Sequence, residues 1–200
     1  MIRRSFLKAL AVAGFTLAGA VQAQEIDNNN VLVLEIAGEA NGNVEILLRP
    51  DVAPLHVAQI KTLTREGAYN GIAFHRVIEG FMAQTGDVQY GGVEDYQGRM
   101  AGRGGSDLPD IKAEFSDLHF GPGVVGMARS SSPDSANSQF FIMFDDASSL
   151  NGQYTVVGRV IEGMDVVNAI KRGSRSANGA VASEPDYIVR AFIKADGAPE

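Results

Sequence analysis

The residues best suited to chemistry lie in one short segment, residues 74–87. This segment contains Arg76, followed by the apolar Phe81 and Met82 and by the amide of Gln84. A guanidinium stays charged and offers several N–H donors in a rigid plane, so it donates hydrogen bonds without losing a proton. Such a donor beside apolar side chains suits a proline-containing peptide, and we take Arg76 as the candidate catalytic residue.

A second segment, residues 138–144, supplies matching polar and aromatic groups. Gln139 and Phe141 are two positions apart, which places them on the same face of a strand. We predict that Gln84 holds the substrate carbonyl. The side chains expected to wall a pocket for the proline ring are Phe81, Met82, Phe141 and Leu150.

One reaction that such a peptide-binding site could serve is rotation about an X–Pro amide bond. This rotation takes roughly tens to hundreds of seconds, because it crosses a resonance barrier of about 18–20 kcal/mol. No bond is made or broken, so the reaction needs no nucleophile, proton carrier or cofactor. It needs a donor aimed at the prolyl nitrogen, which gains a lone pair in the twisted state.

Strand alternation predicts which side chains share a face with Arg76. Phe74 and Ile78 are expected on its face, with His75 and Val77 opposite. We therefore expect His75 to be structural.

Other chemistries find little support in the residue pattern. The chain has no cysteine, and its three histidines show no metal-ligand spacing. Gly121, Gly123 and Gly126 match a dinucleotide-binding fingerprint, but Pro122 interrupts it and no βαβ pattern surrounds it. We expect no metal, and we attribute these glycines to close strand packing and a turn.

The first 23 residues resemble an export leader, with cleavage after Ala23. Their apolar run is shorter than the roughly 20 residues that a membrane span needs. The order of residues 3–8, which begins Arg3-Arg4, also resembles the twin-arginine signal, whereas an ordinary secretory leader is the alternative. We expect a bacterial protein outside the cytoplasm, in the periplasm or beyond it, exported by the twin-arginine route.

The remaining chain is acidic and of single-domain size. Removal of residues 1–23 takes away Arg3, Arg4 and Lys8 and no acid, which moves the formal charge from −7 to −10. This charge disfavours nucleic acid and anionic membrane surfaces as partners. We expect an N-terminal tail at 24–30, one domain at 31–194 and a C-terminal tail at 195–200.

Short apolar runs separated by glycine and acidic turns favour antiparallel β-structure. The predicted strands include 31–36 and 44–48, joined as a hairpin, and later 154–160 and 187–193. Helices are predicted at 54–66, with Gly67 as the stop, and at 164–171. Residues 91–105 are predicted to form a long surface loop.

These segments together resemble the cyclophilin family of peptidyl-prolyl cis-trans isomerases, from about residue 31 to 193. The most specific matches are 74–76, 81–87, 121–123, 127–128, 138–142 and 163–164. The resemblance implies a mainly β fold, an eight-stranded antiparallel closed barrel capped by two α-helices, with a substrate groove on its outer face. It also implies an isomerase without a cofactor that acts on proline-containing polypeptides.

The resemblance implies further peptide contacts, and departures from the family pattern qualify them. Ala128 is such a contact, and Arg129 stands where asparagine is usual; that position acts mainly through its backbone. Tyr154 matches the groove histidine of the family and can still stack on a substrate. Ser149 replaces a tryptophan that binds cyclosporin, so sensitivity to this drug is not implied.

One alternative function stays open at this point. A peptide-binding or holdase module would capture extended chains without catalysis, and it does not require the complete arrangement around Arg76. In either case we expect a monomer with no stable membrane insertion.

Overall fold

The computed structural model describes residues 26–96 and 98–198. These residues form nine β-strands, two α-helices and short 3-10 turns. The strands are β1 (Val31–Ala37), β2 (Gly42–Leu48), β3 (Ile72–Ala73), β4 (Arg76–Ile78), β5 (Met82–Thr85), β6 (Val124–Met127), β7 (Phe140–Met143), β8 (Val156–Glu162) and β9 (Tyr187–Ile193). The helices are α1 (Pro54–Arg65) and α2 (Met164–Ala169). The predicted leader, residues 1–23, lies outside the described residues.

The nine strands form one antiparallel sheet in the order β3-β9-β1-β2-β8-β6-β7-β5-β4. The two strands at the ends of this order, β3 and β4, are consecutive in the chain and are separated only by Phe74 and His75. The sheet therefore curls until its two ends meet in one segment, which confirms the predicted antiparallel barrel-like architecture.

The number of strands and the manner of closure differ from the expected closed, eight-stranded barrel. The segment 72–78 does not form one continuous strand, because its middle residues bond to the chain at 179–186 instead of to a strand. Phe74 N donates to the Asp186 carbonyl, and Val77 N donates to the Gly179 carbonyl, both over 2.8 Å. No ladder of backbone hydrogen bonds joins β3 to β4 within the described residues, and the segment counts as two short strands.

The barrel interior contains the main apolar core. Large, fully buried side chains such as Leu34, Ile46 and Ile142 come from strands all around the sheet, and Phe74 joins them. A second apolar cluster lies on the other face of β5, β6 and β7, with Met82, Phe120 and Phe141 at its centre. The second cluster forms the floor of the site described below.

Helix α1 confirms the predicted helix, with Pro54 in its first turn. No side chain of the preceding residue caps it, and Glu114 takes that role: its carboxylate accepts hydrogen bonds from Leu55 N and His56 N. A carboxylate there accepts hydrogen bonds from otherwise unpaired N–H groups, and its negative charge stabilises the helix by interacting with the positive end of the helix dipole. Gly67 follows the helix with φ +70°, which confirms the predicted stop.

Helix α2 is shorter than the predicted 164–171, because Ile170 is extended, with ψ 130°. Lys171 N donates to the Asp186 carboxylate, which draws the chain away from the helix. The predicted β1–β2 hairpin is confirmed, with Val31 opposite Leu47 and Ile36 opposite Gly42. The last two predicted strands correspond to β8 and β9.

The described parts of 91–105 contain no helix or strand, in agreement with the predicted loop. None of the helices in the described part of the chain is long and apolar enough to cross a membrane.

Candidate active site

The β4–β5 hairpin places Arg76 and Gln84 side by side. The two residues are directly opposite in the antiparallel ladder, and the intervening turn contains Gly80 with φ +69°. Directly opposite residues share one face of the sheet. Arg76 Nη1 accordingly donates to Gln84 Oε1 over 3.1 Å.

Arg76 is held on its other side by a residue far away in the chain. Its Nε donates to the Asn178 backbone carbonyl over 3.1 Å, and its Nη2 donates to Asn178 Oδ1 over 3.2 Å. A guanidinium has five N–H donors, so one donor on each Nη has no partner among the described residues. Partial burial lowers the pKa of Arg76, because a charged group loses solvation there.

The face assigned to Phe74 by strand alternation is wrong. Phe74 and Val77 both lie in the barrel interior, whereas Ile78 packs against the outer cluster near Arg76. Alternation fails here because it assumes an uninterrupted strand, and the strand is broken between Ala73 and Arg76.

A cavity of about 160 Å³ with both polar and apolar walls opens beside Arg76. It brings together nine of the ten residues predicted for the site. They are Arg76, Phe81, Met82, Gln84, Ala128, Arg129, Phe141, Leu150 and Tyr154. Met82 and Phe141 are almost completely buried and form its floor. The strands and the loops between them thus collect these side chains at one place on the outer face of the barrel, although their individual roles stay predictions.

The ring of Phe141 is held in place by aromatic neighbours. It stacks on Phe120 with centroids 5.9 Å apart, and it meets Tyr154 edge-on at the same distance. A Cβ at Gly126 would lie 2.6 Å from both Phe120 Cε1 and Phe141 Cζ. Gly126 is therefore required for close packing, as expected from the sequence, and this packing fixes one wall of the cavity.

Arg129 forms part of another wall. Its guanidinium carbon lies 4.4 Å from the centroid of the Tyr154 ring, and its Nη2 donates to the Gln153 carbonyl over 2.9 Å. Its Nη1 donates to the Ser130 carbonyl over 3.0 Å. The side chain of Arg129 therefore orients Tyr154, a role beyond the backbone contact expected from the sequence.

Gln139, the tenth predicted residue, lines a neighbouring cavity of about 480 Å³ instead. Its amide is already used within the protein: Oε1 accepts from Gln84 Nε2 over 2.9 Å, and Nε2 donates to the Gly104 carbonyl over 2.8 Å. A chain of hydrogen bonds thus runs from Arg76 through Gln84 and Gln139 to the loop at 102–105.

That loop is anchored by a buried carboxylate. Asp87, which has no exposed surface, accepts hydrogen bonds from the backbone N–H groups of Gln89, Tyr90, Gly102 and Gly104. Because four N–H groups satisfy one carboxylate, the loop is tied to the end of β5 without a regular element of its own.

His75 is buried beneath the same loop, 4% exposed. Neither ring nitrogen has a hydrogen-bond partner among the described residues. Burial lowers the pKa of His75 to about 4, so the ring is neutral near pH 7. The part of the chain that the structure describes contains no cluster of three or more His, Asp or Glu side chains that could hold a metal ion.

Asn178 is the residue at the site that the sequence analysis missed. It contacts Arg76 across 102 positions of sequence and belongs to no motif considered above. The only local signal is the pair Asn178-Gly179, which is typical of turns with positive φ.

Comparison with known proteins agrees with this geometry. Residues 31–192 match the family model described as cyclophilin type peptidyl-prolyl cis-trans isomerase/CLD. A probable peptidyl-prolyl cis-trans isomerase of Brucella suis is 57% identical over 197 residues, which cover 96% of this chain and 98% of that protein.

Solved structures show the same fold. Cyclophilin AquaCyp293 from Hirschia baltica aligns with a TM-score of 0.69 and 29% identity, over 87% of this chain and 77% of that one. A Cryptosporidium parvum cyclophilin type isomerase, crystallised in the presence of the dipeptide Ala-Pro, aligns with a TM-score of 0.67 and 23% identity, over 82% and 98% of the two chains. With a family match that spans almost all of the described residues, the chain belongs to the cyclophilin-type peptidyl-prolyl cis-trans isomerases.

Proposed function

We propose that this enzyme accelerates rotation about X–Pro bonds in proline-containing polypeptides by donating a hydrogen bond from Arg76 to the prolyl nitrogen. One observation carries the proposal: Arg76 is oriented by Gln84 and Asn178, yet keeps one N–H on each Nη free of protein partners among the described residues. These donors stand beside a cavity whose apolar walls, which include Phe81, Met82 and Phe141, suit a proline ring.

The charge state of Arg76 fits this role. In the twisted state the prolyl nitrogen loses its amide resonance and becomes a hydrogen-bond acceptor. Although burial lowers the pKa of Arg76, an arginine side chain keeps its proton in proteins. It therefore stabilises the twisted state and never competes for a proton.

Arg76 does not account for catalysis alone. An acceleration of ~10⁵ requires the barrier to fall by about 7 kcal/mol. A hydrogen bond to a charged group contributes about 1.5–3 kcal/mol net, and more where water is excluded. The remainder falls to the walls formed by Phe81, Met82 and Phe141, which hold the proline ring while the preceding carbonyl turns.

Gln84 supplies a second contact for the substrate. One N–H of its amide bonds to Gln139, while the other has no partner among the described residues. That donor is available to the carbonyl group that turns, which is the role we propose for Gln84.

Exchange spectroscopy by NMR on a short X–Pro peptide tests the proposal, with wild-type protein and with Arg76→Ala. We expect kcat/KM to fall about 100-fold or more, the loss typical of removing a donor to developing charge. Arg65→Ala is the matched control, because Arg65 is exposed and pairs with Asp196 away from the site. Full activity of Arg76→Ala would remove Arg76 from the mechanism.

The same experiment addresses the non-catalytic alternative. A holdase would bind the peptide, which broadens or shifts its signals, without raising the rate of cis–trans exchange. Binding without rate enhancement by the wild-type protein would favour that alternative.

We also propose that the enzyme works outside the bacterial cytoplasm after removal of residues 1–23. The support is the basic start with Arg3 and Arg4, the short apolar run, and the small residues before Gln24. N-terminal sequencing of the protein from a periplasmic fraction is expected to begin at Gln24. Export that stops in the double variant Arg3→Lys, Arg4→Lys supports the twin-arginine route, and unchanged export opposes it.

A further inference from the structure

The turn at residues 173–180 docks directly against β4, the strand that carries Arg76. Val77 N donates to the Gly179 carbonyl over 2.8 Å, and Gly173 N donates to the Val77 carbonyl over 2.9 Å. The Arg76 backbone also forms an isolated bridge with Ala180. Backbone groups of the two segments therefore fix the turn at one position relative to Arg76.

Two glycines allow this packing, Gly179 against β4 and Gly173 within the turn itself. A Cβ at Gly179 would lie 2.3 Å from Ile78 Cγ1, and a Cβ at Gly173 would lie 1.9 Å from the Gly179 carbonyl oxygen. No larger residue fits at either position without movement of the backbone. The turn is built for contact with β4.

Asn178 has an unusual backbone conformation within this turn. Its φ is +52°, in the left-handed region that asparagine tolerates better than other side chains except glycine. This conformation directs both the backbone carbonyl and the side-chain Oδ1 of Asn178 to the same guanidinium.

We propose that Asn178 is a positioning residue for Arg76. Its two oxygens take the Nε and Nη2 donors, while Gln84 takes a donor of Nη1 on the other side. The guanidinium plane is thereby fixed from two sides, and its remaining donors are fixed in direction. This inference rests on the proposed role of Arg76 and adds the residue that orients it.

The neutrality of Asn178 is part of its role. A carboxylate at this place would also orient Arg76, but it would cancel the charge that stabilises the twisted amide. Amide and carbonyl oxygens orient the side chain while leaving its charge for the substrate. Preorganisation of this kind reduces the freedom that a long side chain loses in the transition state.

The variant Asn178→Gly tests the proposal with little disturbance of the backbone, since glycine accepts positive φ. It removes Oδ1 and keeps the backbone carbonyl. We expect kcat from NMR exchange to fall about tenfold with KM nearly unchanged, the effect of losing one exposed hydrogen bond to a charged group. The variant loses the bond to Nη2 and keeps the bond to Nε, so one bond to residue 178 must hold the guanidinium where two did. We therefore expect the Nε–H signal of Arg76, assigned by its loss in Arg76→Lys, to become more mobile in ¹⁵N relaxation.

Two further variants separate positioning from general loosening of the turn. Ala177→Gly adds a neighbouring glycine without removing a contact to Arg76, and we expect wild-type kcat and an unchanged Nε–H signal. Asn178→Asp keeps two acceptors at the site, and we expect it to restore the ordered Nε–H signal. If Ala177→Gly lowers kcat as much as Asn178→Gly does, the positioning role is overturned.

The NMR readout does not depend on activity. A wild-type protein without isomerase activity would defeat the proposed function, whereas the relaxation data would still show whether Asn178 orders Arg76. An Nε–H signal of Arg76 that is equally ordered in wild type and Asn178→Gly would overturn this inference and leave the proposed function intact.

Discussion

The described arginines whose side chains donate hydrogen bonds within the protein, which are Arg49, Arg65, Arg76, Arg129, Arg172 and Arg190, fall into two groups that differ in what holds them. Away from the site they pair with carboxylates: Arg49 with Asp51 over 2.6 Å, and Arg172 with Glu79 over 2.6 Å. At the site, Arg76 donates only to neutral oxygens among the described residues. Arg129 does the same.

This difference is informative because carboxylates are abundant. The chain has 24 Asp and Glu against 17 Lys and Arg, so an ion pair would be the easy way to hold an arginine. A carboxylate partner neutralises the guanidinium and takes its donors, whereas a carbonyl oxygen orients it and leaves its charge. The arginines around the cavity are thus held in a way that preserves their charge for a substrate amide.

The largest effect is expected when Arg76 is given a carboxylate partner like those of the other arginines. Gln84→Glu converts the 3.1 Å acceptor of Arg76 Nη1 into an anion. We expect kcat/KM to fall about 100-fold, as when a donor to developing charge is removed. The exchange assay at neutral pH measures it.

Gln84→Met is the matched comparison for that variant, because both variants lose the amide donor of Gln84 and only Gln84→Glu adds charge. We expect it to lose less activity than Gln84→Glu. Equal losses would mean that loss of the Gln84 amide, and not the added charge beside Arg76, accounts for the effect.

A protonated His75 would be a second cation next to Arg76 and would alter the electrostatics of the site. Burial keeps the His75 ring neutral near pH 7. Burial lowers the pKa of His75 to about 4, below the ordinary value of 6.5. The unfolded chain binds this proton at a higher pH than the folded chain, so stability falls as pH falls from about 6.5 to about 4. By pH 5 the loss is about 2 kcal/mol.

Urea unfolding of wild type and His75→Gln at pH 7 and pH 5 measures this effect. The amide of the variant does not titrate, so its free energy of unfolding is expected to change less between the two pH values. Identical changes in the two proteins would show that His75 titrates normally in the fold.

The smallest effect is expected for the arginines that pair with carboxylates away from the site. Glu79→Gln removes the ion pair between Glu79 and Arg172. The side chain of Glu79 is 55% exposed. Exposed ion pairs contribute roughly 0–1 kcal/mol, and Arg172 also lies over the Phe144 ring. We expect the free energy of unfolding of Glu79→Gln, measured by urea titration, to lie within about 1 kcal/mol of the wild-type value, since the ion pair is screened by solvent.

The activity of Glu79→Gln completes the comparison. We expect kcat/KM to equal that of wild type in the exchange assay. A large loss would show that ion pairs outside the cavity also tune Arg76, and the division of the arginines into two groups would fail.

Much of the fold and site could be predicted from local sequence. Pro54 and Gly67 mark the ends of α1 because they act on neighbouring backbone groups. Four of the residues predicted for the cavity, Arg76, Met82, Gln84 and Phe141, come together because they lie on the adjacent strands β4, β5 and β7 and share a face by alternation. Gln139 was separated from them because its amide is used by Gln84 and Gly104.

The remaining features could not be predicted from the sequence, because they depend on contacts between segments that are far apart in the chain. The error at Phe74 arose because residues 179–186 bond to the segment between β3 and β4, so Phe74 lies in a break where strand alternation does not hold. Glu114 caps α1 from 58 positions away, and no local cap was present to predict it.

The sequence by itself determined the kinds of groups available: a permanent cation, amides and large apolar side chains, on short strands whose period of two follows from backbone geometry. The tertiary structure decided how the sheet closes through 72–78, which face Phe74 takes, and that Asn178 and Gln84 are the partners of Arg76. The physical reason is the distance along the chain over which the interactions act. Period and caps depend on neighbours within a few residues, whereas the orientation and charge of Arg76 depend on oxygens brought beside it only when the barrel closes.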